Sequence, residues 1–228
     1  MSLSKKLEYI LAYYKLPIVL VLIALVAVGS VLHRMLTEKE PVLYVAYANV
    51  AVEDDLDKAL TVDYLATKGL DSRSQAVFTY PDLYLSDAET SSDHQYSYAS
   101  RLKLLAAIDA EQLDVVLMSK ESYDLLSHSG LLMDLSKVDG LSSQLAGLIS
   151  SNEVILEDNS LEVQLSEADT YEAVTELVSN SLNLSSLPAF SGLSGDIYLG
   201  IIANTPRIGT TLEYVDYLCT IERLSPSA

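Results

Sequence analysis

LKLLAAIDAEQLDVVLMSKESYDLLSHSGLLMDLS, residues 102–136, is the stretch on which the fold class turns. Its centre, Leu113–Met118, is a short apolar run of strand length. Upstream, the spacing predicts a helix from about Tyr96 to Gln112, with Tyr98, Leu102, Leu105 and Ala106 on one face and Lys103 and Glu111 opposite. Downstream, a second helix is predicted over Glu121–Ser127. Helix, strand and helix in this order imply βαβ crossovers, hence an α/β fold with a mostly parallel sheet.

Outward from this stretch, Val42–Ala48 (VLYVAYA) reads as a strand apolar enough to be buried on both faces. The helix predicted after it carries Glu53, Asp54 and Asp55 in its first turn, where the dipole favours carboxylates. Leu56, Ala59, Leu60 and Tyr64 form its buried stripe, and Lys68-Gly69 is its stop signal. Residues 73–86 predict a strand ending at Pro81. The segment Asp87–Asp93 (DAETSSD) is an acidic loop without the spacing of a calcium loop, and reads as solvated. Residues 136–195 are rich in Ser, Leu and Gly; they suggest a half-buried strand around Leu161–Leu165 and a helix over about Ala168–Asn180. Asp196–Ala203 is another buried strand. Thr205-Pro206 fits an N-cap followed by the first helical position, and Ile208, Leu212, Val215 and Cys219 form the apolar stripe of a final helix.

Charge is divided unevenly along the chain. Residues 1–40 carry five basic and three acidic residues, so with a net charge of −18 overall the remainder holds −20. A surface so acidic repels phosphate backbones and argues against nucleic acid as a partner; it also keeps an exported domain soluble. Cys219 is the only cysteine, so no internal disulfide forms, and its place on the apolar stripe turns it toward the core. Tyrosine is abundant at 15 residues while tryptophan is absent, which suits either sugar and peptide binding or ordinary sheet packing.

Leu16–Leu32 (LPIVLVLIALVAVGSVL) is uncharged and would span about 26 Å as a helix, within the range of a membrane segment. Lys5, Lys6 and Lys15 precede it, so the positive-inside bias predicts a cytoplasmic tail at 1–15, a transmembrane helix at 16–33 and a linker at 34–41. Tyr13 and Tyr14 would sit at headgroup level. A cleaved signal peptide is the main alternative, since Ala27-Val28-Gly29 has small residues before Ser30. Apolar residues continuing to Leu32 favour an uncleaved anchor. A lipoprotein signal lacks its cysteine, and a buried soluble helix lacks polar positions.

Signs of catalysis are poor. His33, His94 and His128 have no ligand-like spacing, and no metal site is expected. Ser191–Gly195 (SGLSG) is not a nucleophile elbow, and there is no G-x-G-x-x-G or G-K-[ST] phosphate loop. No cofactor and no enzymatic activity are expected.

Two stretches resemble extracytoplasmic solute-binding proteins. In residues 102–136 a helix feeds a D-V-V-hydrophobic strand, and the next helix ends in a Gly-hydrophobic-Leu-x-Asp-Leu turn. In DIYLGIIANTPRIGTTLEYVDYL, Asp196–Leu218, a return strand leads through an A-N-T turn into an amphipathic helix ending in aromatic-x-x-aromatic-Leu. The opening VLYVAYANV is similar to the family's first strand. These motifs cover somewhat under half of the chain. The resemblance implies the type 2 periplasmic-binding-protein fold over 42–228, in which two α/β lobes close on a ligand at the carboxyl ends of the strands. The matching positions are Tyr47 and Asn49 after the first strand, and Ser119 and Lys120 after the strand at 113–118. The interval from Ser136 to Asp196 is too short for a full second lobe, so a reduced one is expected at about 137–195.

The expectation is a bacterial, membrane-anchored, extracytoplasmic solute-binding-like protein that presents or senses a small ligand, with a transporter as one candidate partner. The alternative is an interaction or scaffold subunit of a cell-envelope complex with no functional cleft. A cleft of converging polar groups would favour the first, and a flat apolar patch beside a closed cleft the second.

Overall fold

The strand β1 (Glu40–Ala48) is apolar from Val42 onward, where helices cover the sheet on both sides. The computed structural model describes residues 17, 19–30, 39–86, 94–157 and 174–221. After β1 the chain runs through α1 (Asp54–Lys58), one wide π-helical turn (Ala59–Asp63), α2 (Tyr64–Thr67), β2 (Gln75–Leu83) and α3 (His94–Asp109). It continues with β3 (Val115–Ser119), α4 (Lys120–His128), α5 (Ser143–Ala146), β4 (Ile149–Glu157), β5 (Val174–Asn183), β6 (Ile197–Ile201) and α6 (Ile208–Leu218). The six strands form one sheet in the order β2-β1-β3-β6-β5-β4.

Alternation along the strands divides the interior in two. Leu43, Val45 and Tyr47 of β1, Val115 and Leu117 of β3, and Leu199 of β6 meet Leu60 and Tyr64 of the first helical region and Tyr214 of α6. Ala46, Ala48, Val116, Met118 and Tyr198 point the other way and meet Leu104 and Ile108 of α3 and Tyr123 of α4. Gly200 faces this second core because a Cβ there would come within 2.7 Å of Leu132 and 2.8 Å of Met118. Pro41–Ala228 is one unit, and it contains both cores entirely, which is what a domain needs to fold by itself.

The sheet is mixed, which corrects the expectation of a mostly parallel one. β1 and β3 are parallel, with Val45 opposite Val115 and Ala48 opposite Met118. The pairs β3–β6, β6–β5 and β5–β4 are all antiparallel. Strand–helix alternation signals parallel neighbours only where each strand is carried across by a helix, and no such helix joins β5 to β6. The helix expected over Ala168–Asn180 is also corrected, since residues 174–180 belong to β5. Its sequence pattern misleads because Asn180 and Ser181 are buried while Leu177 is 70% exposed. The described parts of 137–195 hold α5, β4, β5 and a short turn at Pro188–Phe190, and their strands continue the same sheet.

The first helical region follows its expectation: Leu56, Ala59, Leu60 and Tyr64 are buried, and Gly69 at φ +68° ends it. β2 runs past the expected stop at Pro81 to Leu83, as an edge strand can. α6 starts at Ile208; Thr205 still accepts a hydrogen bond from the Arg207 amide at 3.1 Å, two residues ahead of the helix. Its deepest residues are Thr211, Tyr214, Val215 and Leu218, which corrects the stripe by rotating it from the expected one; Ile208, Leu212 and Cys219 are half-buried at its margin. Burial pushes the Cys219 thiol above its usual range, with Asp216 adding to the effect.

In the amino-terminal unit, residues 19–30 are helical, with exposed apolar side chains from Val19 to Val28. Among the described residues no helix is long and apolar enough to cross a membrane. Leu16, Ile18 and residues 31–33 of the expected span, the tail at 1–15 and linker residues 34–38 lie outside the described residues. So do the acidic loop at 87–93 and the strand expected around Leu161–Leu165.

Candidate functional site

The parallel pair β1 and β3 sends its two exits to opposite sides of the sheet. From β1 the chain turns to α1, whose Leu56 lies in the first core; from β3 it enters α4, whose Tyr123 lies in the second. In open sheets such a divergence leaves a crevice at the carboxyl ends of the strands, where ligands commonly bind. The register Ala48–Met118 puts Asn49 and Ser119 side by side at that edge.

The four expected ligand-binding residues do not converge there. Tyr47 faces the first core, 3% exposed, and its hydroxyl donates to Asp57 at 2.8 Å. Burial raises its phenol pKa far above the usual range, with Tyr214 and Asp57 acting in the same direction. Asn49 sits at φ +54° and binds residue 85 with its side chain: Nδ2 donates to the Leu85 carbonyl at 2.6 Å, and Oδ1 accepts from the Leu85 amide at 2.7 Å. Ser119 is the N-cap of α4, accepting from the Ser122 amide at 3.3 Å. Lys120 pairs with Asp124, and its Nζ lies 5.3 Å from the Tyr123 ring and 5.9 Å from the Tyr198 ring, above a stack with centroids 4.5 Å apart. Each polar group already has a partner within the chain.

Two polar clusters were not foreseen. At the amino end of β3, Asp114 is fully buried and accepts from the Tyr44 amide at 2.8 Å, from the Thr205 hydroxyl and from Arg207 Nε at 3.0 Å. Arg207 also donates to the Glu111 carbonyl and lies 4.9 Å over the Tyr44 ring. This cluster joins β1, β3 and the entry to α6. Asn204 nearby donates to the Ile108 carbonyl at 2.9 Å, closing the end of α3. The second cluster lies beneath α4: the Tyr123 hydroxyl donates to Asn180 at 2.9 Å, and Asn152 donates to Asp124 and Ser127, each at 2.9 Å. Asn180 Nδ2 is buried without a partner, and burial pushes the Tyr123 phenol above its usual range. The inverted pattern of β5 hides this cluster in the sequence.

A further exposed feature is apolar. α3 buries Leu104, Ala107 and Ile108, so the face expected to pack inward, Tyr98, Leu102, Leu105 and Ala106, is turned outward. Tyr98 is 59%, Leu102 50% and Leu105 42% exposed. The periodicity located a real stripe but gave it the wrong side. The signal was present in Leu102-Lys103-Leu104-Leu105-Ala106-Ala107-Ile108, which places apolar residues on both sides of one helix. Between α3 and α4 runs a groove of about 440 Å³, lined by Leu85, Leu104, Leu105, Leu125, Leu126 and Leu131. Arg101, Asp124 and His128 also border it.

Among the described residues no group of three His, Cys, Asp or Glu side chains is placed to hold a metal. No protein-family model, no curated protein and no solved structure matches the chain. The similarity to solute-binding proteins therefore rests on the quoted motifs alone.

Proposed function

We propose that this chain is a non-catalytic interaction module, held at the membrane outside the cytoplasm, that meets another envelope protein through its α3–α4 face. The observation that carries the reading is α3 itself, apolar on two opposite sides with only one of them covered. A helix apolar all round belongs in an interior, and an exposed stripe beside an apolar groove marks an interaction surface. The membrane part rests on the run Leu16–Leu32 and the lysines before it.

A photoreactive residue at position 102 of the full-length chain, in its own envelope, is expected to give a discrete protein adduct. The same probe at Glu213, exposed on α6, is expected to give none. Equal labelling from both positions would sink the proposal.

One observation favours a second reading, a solute-binding-like role: β1 and β3 send the chain to opposite faces of the sheet, the arrangement at which open sheets commonly leave a ligand-binding crevice. A small molecule that raises the melting temperature of residues 41–228, and loses that effect in Ser119→Ala, would shift the assignment to that crevice.

A further inference from the structure

The outer face of α3 needs an occupant, and charge narrows which one. Residues 41–228 carry −20, so two copies meeting through this face would bring two strongly acidic domains together. A basic partner would instead be drawn in by the same field. The cations of the face, Lys103 and Arg101, keep their charge while engaged with their own chain, so the attraction comes from the net charge of the whole domain. Lys103 Nζ lies 5.5 Å from the Tyr80 ring, and Arg101 donates to the Ser86 carbonyl at 3.1 Å.

Shape narrows it further. The exposed side chains Tyr98, Leu102 and Leu105 follow the helical i, i+4, i+7 spacing and form a ridge along α3. The leucine groove lies on the α4 side of that ridge, and a more polar hollow of about 370 Å³, reached by Tyr96 and Lys103, lies toward the end of β2. A ridge at helical spacing beside an apolar groove is a surface against which a helix packs.

Resting on the interaction reading above, we infer that the α3–α4 groove receives an amphipathic helix with leucine-sized side chains on one face and lysine or arginine on the other. The apolar side fills the groove beside Leu105. The basic side remains toward solvent, where the net negative field of the domain speeds encounter more than it adds affinity.

The test uses residues 41–228 and three helical peptides with leucine at i, i+3, i+4 and i+7, their remaining positions being lysine, glutamine or glutamate. Binding is measured at low and at physiological salt against the parent domain and Leu105→Glu, with a melting curve for each to confirm folding. The substitution separates groove binding from adventitious attraction because it blocks the groove while making the domain more acidic. The expected result is binding of the lysine peptide, none of the glutamate peptide, and a loss of about thirtyfold in Leu105→Glu, the effect of a central apolar anchor. If the lysine peptide binds Leu105→Glu as well as the parent or better, the contact is charge alone, and both the partner and the docking face are overturned. If the glutamine or glutamate peptide binds as tightly and is blocked by Leu105→Glu, the face stands and the basic partner falls. A dimer in sedimentation equilibrium that Leu105→Glu dissociates would make a second copy the occupant and overturn the inference.

Discussion

A carboxylate lies inside the sheet at Asp114, and leucines lie outside it on α3. Each inverts the ordinary rule of burial, but only the first is resolved within the chain. Asp114 is fully buried, with Tyr44, Thr205 and Arg207 donating to it, so its charge is matched where it sits. Leu102 and Leu105 remain exposed, with a groove beside them. An inversion matched by its own neighbours is structural. One left open is what the proposed interaction would resolve.

The comparison breaks first at Asp114. Asp114→Ala leaves a mostly buried guanidinium without its counter-charge and is expected to cost about 3–5 kcal/mol in denaturant unfolding. A loss below about 1 kcal/mol would mean that Arg207 finds water or another partner, and that the cluster is not the fastening described here.

Adjacent leucines sharpen the contrast. Leu104 is 2% exposed, and Leu104→Ala should cost about 2–5 kcal/mol by chemical denaturation. Leu102→Ala, on the outward face, should change stability by no more than about 0.5 kcal/mol while weakening the proposed partner contact. Equal costs at the two positions would show that α3 is covered on both sides within the chain.

Alkali probes the buried hydroxyls. Burial, with Glu213 adding to it, pushes the Tyr64 phenol up to about 12. A raised folded-state pKa means the native form keeps its proton longer than the unfolded chain. Its contribution is therefore fully present below about pH 10 and is lost as pH rises from 10 to 12, by roughly 2–3 kcal/mol for a two-unit shift. Across that window the stability read from unfolding curves should fall as tyrosinate absorbance rises. Ionisation of Tyr64 at about pH 10 in the folded domain would refute this.

One effect has the opposite sign. The Tyr214 hydroxyl is buried without a partner, so Tyr214→Phe removes an unsatisfied group and keeps the ring against Tyr64, 4.9 Å away. A gain of up to about 1 kcal/mol in thermal unfolding is expected. A clear loss would reveal a bound water or another unseen partner for that oxygen.

Much of the fold was legible because apolar run length and helix punctuation report directly on burial. β1, β3, β6 and the helix closing at Gly69 all follow that logic. Strand direction was not legible, since it depends on how β4, β5 and β6 are connected and not on what they contain. β5 was missed because Asn180 points inward and Leu177 outward. At the candidate site, sequence placed Asn49 and Ser119 correctly at the carboxyl edge. It could not tell that both side chains were bound to their own backbone, because hydrogen-bond partners such as Leu85 lie far off along the chain. The stripe on α3 was visible, yet periodicity names a face without saying who covers it.

The central strand has a consequence for time as well as for energy. β4 and β5 pair within one local stretch of chain, whereas Tyr44 and Asp114 are 70 positions apart and Asp114 and Arg207 are 93 apart. Long loops must close before such contacts form, which slows a chain whose centre depends on them. By that reasoning the β4–β5 pairing is expected to form early and the bonds around Asp114 late. Strengthening them would chiefly slow unfolding and leave the folding rate nearly unchanged, so this buried charge acts as a latch on the finished domain.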